Sequence, residues 1–152
     1  MSQSLAKVIV HVVYSTKQRH PWLRNPTLQS ELCAYAATIL KNEVDSPAIL
    51  INGMADHLHI LCLLSRKFAI MDVIKKSKTE TSKWIKKQGA TLSDFQWQAG
   101  YGVFSVSQSN VEQVKRYIAN QEEHHKRSSF QDEFRKICER HGIEIDERYV
   151  WD

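Results

Sequence analysis

Glycine, proline and cysteine are scarce in this chain of 152 residues, which contains five, three and three of them. So few glycines and prolines leave little room for long flexible linkers, and no repeat or low-complexity segment interrupts the sequence. Three cysteines without a Cys-x-x-Cys spacing do not indicate a disulfide framework. We therefore expect Cys33, Cys62 and Cys138 to be reduced, buried thiols of a cytoplasmic protein.

Long hydrophobic runs are also missing. The longest ones, near 8–14 and 58–64, fall well short of the ~18 residues needed to cross a bilayer, and the N-terminal residues show no signal-peptide pattern. Hydrophobic residues make up 42% of the chain and charged residues 25%, which excludes a disordered or membrane-embedded protein. This length predicts one domain, residues 1–152, with a core that needs no disulfides.

The small positive charge of the chain, +4, is concentrated in one segment. Between Arg66 and Lys87, eight basic residues are opposed only by Asp72 and Glu80, so the rest of the chain is slightly acidic. At about 100° per residue, one arc of the helix predicted there carries Lys75, Lys76, Lys83, Lys86 and Lys87. Such a stripe is typical of a surface that binds nucleic acid, although a solvated helix face explains it equally well.

Hydrophobic patterning predicts strands and helices in the order βαββαβα, followed by one more helix. The strands are expected at 6–15, 47–54, 57–64 and 101–107, and the helices at 27–42, 69–88, 109–125 and 130–141. This order contains a split βαβ unit, which indicates an α+β fold with a ferredoxin-like antiparallel sheet. The extra C-terminal helices would cover part of the second sheet face or its rim. For the tail, 142–152, we expect a short strand or a partner-docking segment.

Two histidines stand two positions apart in the third predicted strand, His57 and His59. Because side chains alternate between the faces of a strand, both imidazoles should lie on the same face of the sheet. A rigid pair of imidazoles can bind a divalent metal ion. The alternative interpretation is a polar pair on a solvated face.

Tyr117 and Gln121 are four residues apart in the helix after the fourth strand, a spacing that places them on one helix face. Tyrosine is a weak nucleophile because its pKa is about 10, so it attacks a phosphodiester only where a cation neutralises the phosphate. On its own, the pair is more simply interpreted as a half-buried tyrosine with a neighbouring amide. His124 and His125 end this helix, where cationic side chains complement the helix dipole.

Three segments of the sequence are similar to motifs of one enzyme family. Residues 56–60 (Asp-His-Leu-His-Ile) resemble the HUH motif, in which a hydrophobic residue separates two histidines. Residues 117–121 (Tyr-Ile-Ala-Asn-Gln) resemble a nucleophile helix, and 97–106 resemble the segment that precedes it. The family is the single-tyrosine HUH transposases of small insertion sequences, the TnpA type. The likeness extends over nearly the whole chain, as a single HUH transposase domain at 1–152.

The resemblance implies an enzyme that nicks and rejoins single-stranded DNA through a 5′-phosphotyrosine intermediate, with Tyr117 as the nucleophile. It implies that His57, His59 and Gln121 hold a Mg²⁺ or Mn²⁺ ion and that no nucleotide cofactor is needed. It further implies a homodimer that recognises hairpin DNA ends. The setting would be a prokaryotic cytoplasm, in association with the nucleoid during the reaction and without a membrane partner.

Charge, rather than the resemblance, predicts which residues contact the DNA backbone. These candidates are Lys17, Arg19, Lys75, Lys76, Lys83, Lys86 and Lys87. Three other functions remain open: a non-catalytic nucleic-acid-binding module on a ferredoxin-like sheet, a small metal-dependent hydrolase of another phosphodiester, and a domesticated HUH nuclease that acts at palindromic repeats.

Overall fold

The computed structural model describes residues 2–152, which form four strands and five helices. The strands are β1 (Ile9–Ser15), β2 (Ala48–Gly53), β3 (His57–Leu63) and β4 (Gly102–Val106). The helices are α1 (Pro26–Val44), α2 (Ile70–Lys86), α3 (Val111–Ala119), α4 (Gln121–His125) and α5 (Phe130–Arg140). The strands pair antiparallel in the order β2-β3-β1-β4. This confirms the predicted α+β fold, with a ferredoxin-like sheet and additional C-terminal helices.

The first face of the sheet packs against α1 and α2 and carries the larger part of the core. Because alternate strand residues point to the same side, every second residue of β1 and β3 contributes to it. The strands supply Val10, Val12, Tyr14, Leu58, Ile60 and Cys62, and the helices supply Leu32, Leu40, Val73, Ile74 and Ile85. Each such large side chain stabilises the fold by roughly 1.5–3 kcal/mol on burial.

The second face is covered by α3 and α5. Ile9 and Leu61 of the sheet lie in one apolar cluster with Ile118 of α3, and Val13 lies in another with Phe134 of α5. The extra C-terminal helices therefore cover this face, as the sequence predicts, and His57 and His59 lie beneath them.

Side-chain caps mark where helices α1 and α5 begin. The Asn25 side chain accepts hydrogen bonds from the N–H groups of Thr27 and Leu28, and proline occupies the first position of α1. At α5, the Ser129 hydroxyl accepts a hydrogen bond from the Asp132 N–H at 3.2 Å. This cap sets the start of α5 and so places Glu133, one turn further on, over the sheet.

The predicted continuous helix at 109–125 is wrong. Helix α3 ends at Ala119 and α4 begins at Gln121, with Asn120 outside helical geometry between them. The Asn52 amide of β2 donates to the Ile118 carbonyl at 2.8 Å, and the Gln121 side chain donates to the Tyr117 carbonyl at 3.4 Å. These side-chain bonds compete with the helical ladder at the point where it breaks.

Three predicted ends also differ from the structure. The helix predicted to start at residue 109 starts at Val111, because Ser109 lies in a 3₁₀ turn (Gln108–Asn110) and its hydroxyl pairs with that of Ser107. The first strand starts at Ile9 because its pairing begins there, opposite Leu63 and Val106, the last residues of the two neighbouring strands. The tail forms turns instead of a strand, since it docks on the protein: the Gly100 N–H donates to the Asp152 carbonyl, and Trp151 packs on α5.

Within residues 2–152, no helix has both the length and the apolar character needed to cross a membrane. The three cysteines are free thiols, with Cys62 and Cys138 buried and Cys33 half-buried. Burial raises the pKa of the Cys33 and Cys62 thiols to about 11, so both are protonated packing residues at neutral pH.

Candidate functional site

The histidines of β3 form the floor of a buried polar cluster on the second face of the sheet. Their side chains are almost completely excluded from solvent, with 1% of His57 and 0% of His59 exposed. Ile60 and Cys62 of the same strand point to the opposite core. A buried polar pair of this kind requires partners, and the C-terminal helices provide them.

Gln121 and Glu133 approach the two histidines from above and are equally buried. The Glu133 Oε1 atom lies 2.9 Å from the His59 Nε2 atom and 3.7 Å from the His57 Nε2 atom. The Gln121 Oε1 atom lies 3.3 Å from His57 Nε2 and 2.9 Å from His125 Nε2. Ligand atoms of His57, His59, His125 and Glu133 all fall within 4.8 Å of one another.

Asp56 orients the first histidine. The Nδ1 atom of His57 lies 2.6 Å from Asp56 Oδ1, so this ring nitrogen donates its proton to the carboxylate. In the neutral imidazole the lone pair is then on Nε2, which faces the cluster. Pairing of a carboxylate with the outer nitrogen of a ligand histidine is the usual way in which proteins fix the tautomer of a metal ligand.

His11 holds the second histidine in the same manner. Its Nε2 atom lies 2.8 Å from His59 Nδ1, and the two rings stack with centroids 5.1 Å apart. Burial lowers the pKa of His11 to about 3 and that of His59 to about 4, so both imidazoles are neutral at pH 7. When His59 donates from Nδ1 to His11, its Nε2 lone pair becomes free for a cation.

The cluster fits a metal ion. Three acceptor atoms converge here: His57 Nε2, Gln121 Oε1 and Glu133 Oε1. When neutral His57 carries its proton on Nδ1, none of the three atoms carries a proton. The Glu133 Oε2 atom is buried and makes no hydrogen bond, although His124 Nε2 and His125 Nε2 approach it to 3.1 and 3.2 Å. A cation would satisfy the converging acceptor atoms, and the nitrogen-rich set of His57, His59, His125 and Glu133 suits a transition metal better than Mg²⁺.

Glu133 is ionised in this environment. Burial alone would raise the pKa of its carboxyl, but the adjacent imidazoles of His125 and His59 outweigh burial and hold that pKa well below the usual range. The carboxylate therefore brings a full negative charge to the cluster at neutral pH. A buried charge of this kind is stable only when it is paired.

Tyr117 stands at the edge of the cluster, half-buried on α3. Its ring makes edge contacts with His59 and His124, with centroids 5.8 and 5.4 Å apart. Burial, reinforced by the Glu133 carboxylate, raises the pKa of Tyr117 above its ordinary value. The hydroxyl consequently stays protonated until positive charge compensates Glu133.

The structure brings together Tyr117, His57, His59 and Gln121, the four residues that the resemblance singled out. The lysine arc of α2 lies elsewhere: α2 packs on the first face, on the opposite side of the sheet from the histidines. There, Lys76 lies within 4.0 Å of Glu43 and Glu80, and Lys83 lies 3.6 Å from Glu80. Lys75, Lys86 and Lys87 share this helix or its end, and Lys17 and Arg19 form a turn after β1.

Sequence reasoning missed three members of the cluster, namely His11, His125 and Glu133. Glu133 had a detectable signal, because it falls on the same helix face as Phe130, Phe134 and Ile137. A charged residue within an apolar stripe requires a buried partner. His11 and His125 carried no comparable signal, since only the strand register and the chain reversal after α4 bring them to the site.

A buried histidine pair on a ferredoxin-like sheet, with a tyrosine on a covering helix, is the arrangement that the resemblance to tyrosine transposases implies. The family model described as "Transposase IS200 like" matches residues 4–121. The chain belongs to this family of IS200-like transposases, and membership indicates a DNA-cleaving enzyme. The matched range contains His57, His59, Tyr117 and Gln121 and stops short of Glu133.

Two solved structures share this fold. A protein proposed to be a transposase, from Deinococcus radiodurans R1, is similar with a TM-score of 0.60 and 22% identity, covering 80% of this chain and 98% of its own. A REP-associated tyrosine transposase, solved bound to a REP hairpin, is similar with a TM-score of 0.52 and 12% identity, covering 78% and 67%. No protein with a curated function matches this sequence significantly.

Proposed function

We propose that this protein nicks and rejoins single-stranded DNA through Tyr117, in the manner of an insertion-sequence transposase. The observation that carries the proposal is the position of the Tyr117 ring against a buried set of metal-ligand atoms from His57, His59, His125 and Glu133. Family membership supports DNA as the substrate class. A purely structural role would not explain why the buried Oε2 atom of Glu133 makes no hydrogen bond.

In the proposed step, the Tyr117 oxygen attacks the scissile phosphorus, and the bond from phosphorus to the 3′ oxygen breaks. The tyrosine becomes esterified to the 5′ phosphate and loses its proton, while the departing 3′ oxygen gains one and becomes a hydroxyl. Attack by another 3′ hydroxyl reverses the exchange and joins strands, so the bond energy is conserved and no nucleotide cofactor is needed.

Residues of this chain prepare that step. His57, His59, Gln121 and Glu133 would hold a divalent ion, while Asp56 orients the first histidine. A bound ion would supply positive charge to the phosphate and to the leaving oxygen. Of the two ions that the resemblance implies, the nitrogen-rich ligand set favours Mn²⁺ over Mg²⁺.

The proposed partner is a DNA strand that carries hairpin ends. The similar REP-associated transposase was solved with a REP hairpin, which supports this substrate shape. The basic residues at Lys17, Arg19, Lys75, Lys76, Lys83, Lys86 and Lys87 remain our candidates for backbone contacts. The protein would act as a homodimer in the cytoplasm, on DNA of the nucleoid.

The decisive experiment is a covalent adduct assay with labelled single-stranded DNA from the gene's own flanks and Mn²⁺. We expect the wild-type protein to form an adduct that survives denaturation and Tyr117→Phe to form none. Tyr149→Phe is the matched control, because Tyr149 is an exposed tyrosine of the tail, and it should react like wild type. An adduct on Tyr117→Phe would contradict the nucleophile assignment.

The same assay separates the alternatives. Cleavage without an adduct would indicate a hydrolase, and salt-sensitive binding without cleavage would indicate a non-catalytic module. Reaction with palindromic repeats but not with the flanking ends would indicate a domesticated nuclease.

A further inference from the structure

A cavity whose lining contains none of the metal-ligand cluster residues adjoins Tyr117. This α3–α5 cleft has a volume of about 320 Å³ and lies between the end of β4, helix α3 and the end of α5. Its lining includes His11, Asn110, Gln113, Tyr117, Ile137, Arg140 and His141. Tyr117 is therefore shared between the metal-ligand cluster and this cleft.

The charge of the α3–α5 cleft suits an anion. Among the described residues that line it none is acidic, whereas Arg140 and His141 are part of its lining. No carboxylate of residues 2–152 lies within ion-pair distance of Arg140, although Arg135 of the same helix is held by Asp132 and Glu147. An arginine that is not engaged by a carboxylate and borders a cleft with amide groups is well suited to bind a phosphate.

The geometry of the proposed reaction determines which part of the DNA must lie beside Tyr117. After the attack, the 5′ phosphate and its nucleotide stay attached to the tyrosine, while the strand with the 3′ hydroxyl is released. That nucleotide cannot lie on the cluster side, because His59, Gln121 and Glu133 fill it with buried side chains. Two cavities adjoin Tyr117 outside the cluster: the α3–α5 cleft and one lined by Asn120, Glu123, His124 and Arg127. The latter contains the acidic Glu123, whereas the lining of the α3–α5 cleft has no carboxylate to repel DNA, and its volume is in the range of small-ligand sites.

We propose that the α3–α5 cleft holds the first nucleotide on the 3′ side of the nick, with Arg140 paired to the phosphate that follows this nucleotide. The inference rests on the proposed function, since it assumes attack by Tyr117. The amides of Asn110 and Gln113 line the cleft where the base would lie, so they are the groups that contact its edge. Arg140 is thus a substrate-binding residue that retains the attached strand.

The test is a set of double-mutant cycles between protein charges and single phosphates. The nick is first mapped with wild-type protein, and binding is then measured in the unreactive Tyr117→Phe protein. The oligonucleotides each carry one neutral methylphosphonate linkage, on either side of the nick. Arg140→Gln is compared with Lys136→Gln, which removes the same charge from the same helix outside the cleft lining.

We expect Arg140→Gln to weaken binding of unmodified DNA about 10-fold, the effect of losing one charge-assisted hydrogen bond. The methylphosphonate one nucleotide 3′ of the nick should weaken the parent protein similarly and leave Arg140→Gln unaffected, because the two changes remove one interaction. Lys136→Gln should show additive effects at every linkage.

Additive behaviour of Arg140→Gln at every linkage, or coupling to a phosphate on the 5′ side, would overturn this assignment. Either result would leave the proposed function intact, because wild-type adduct formation is measured separately. An absent wild-type adduct would overturn both. Circular dichroism of each variant verifies that the exposed substitutions leave the fold unchanged.

Discussion

Glu133 is the residue whose interpretation differs most between the sequence and the folded protein. As a position in a helix it is an acidic residue inside an apolar stripe, whereas in the structure its carboxylate contacts His59 at 2.9 Å and approaches His57, His124 and His125. It supplies a charged oxygen ligand where the resemblance offers only the neutral amide of Gln121. With Glu133 included, the cluster fits a divalent cation of moderate hardness.

We predict that Glu133→Gln weakens Mn²⁺ binding by at least about 10-fold, because an amide replaces the only carboxylate of the cluster. Titration calorimetry of the purified protein measures this affinity directly. Asp132→Asn is the matched control, since it removes the neighbouring carboxylate, which is exposed, and it should bind Mn²⁺ like wild type. Equal affinity of both variants would show that Glu133 is not a ligand.

At the scale of elements, the docking of α5 on the sheet decides whether Glu133 reaches the histidines. Gly102 of β4 makes this docking possible. A Cβ atom built there would lie 2.7 Å from the Phe134 ring of α5 and 2.9 Å from the Phe104 ring. The close approach of helix and strand therefore requires glycine at this position.

Gly102→Ala should lower the free energy of unfolding by about 1–3 kcal/mol, the usual cost of overpacking a core. Urea denaturation measures this difference. Gly89→Ala is the control, because its backbone is extended and no atom lies within 4 Å of the added methyl group, so its stability should stay close to wild type. If Gly102→Ala were as stable as Gly89→Ala, α5 could move away from the added methyl group without loss of stability, and its docking would not require glycine at this position.

Elements were predictable where local periodicity decides them. The amphipathic pattern of α2 and the alternation in β3 both appear in the sequence and in the structure, because burial of one face enforces the period. The break between α3 and α4 was not predictable. It coincides with a hydrogen bond from Asn52, which is 66 residues away from Ile118 in the chain, and no local pattern encodes such a partner.

At the scale of the whole molecule, the sheet lies between the lysines proposed to bind DNA and the residues proposed to cleave it. The lysine arc of α2 lies over the first face, and the metal-ligand cluster with Tyr117 lies under the second. The sheet therefore stands between these lysines and the position proposed for the scissile phosphate. Affinity for DNA and chemistry at Tyr117 should therefore respond to different substitutions.

We predict that the triple variant Lys83→Gln, Lys86→Gln and Lys87→Gln binds DNA more weakly and with a reduced salt dependence. Loss of up to three phosphate contacts lowers the slope of log affinity against log salt by about 2–3. The rate of adduct formation at saturating DNA should not change. Fluorescence anisotropy at several salt concentrations, followed by the adduct assay, measures both quantities.

The control for that variant removes an equal charge from scattered exposed positions, through Lys7→Gln, Arg24→Gln and Lys41→Gln. It should retain most of the salt dependence. If the two triple variants lost affinity equally, the lysine arc would contribute only net charge and would not form a DNA contact.

The sequence by itself determined the strand and helix order, the shared face of His57 and His59, and the motif positions of Tyr117 and Gln121, because each depends on local spacing. Only the tertiary structure decided which side chains complete the cluster and where the basic helix lies relative to it. Strand register brings His11 to His59, and the docking of α5 brings Glu133. Those contacts join residues 48 and 74 positions apart, and the packing of the whole sheet and its helices determines them.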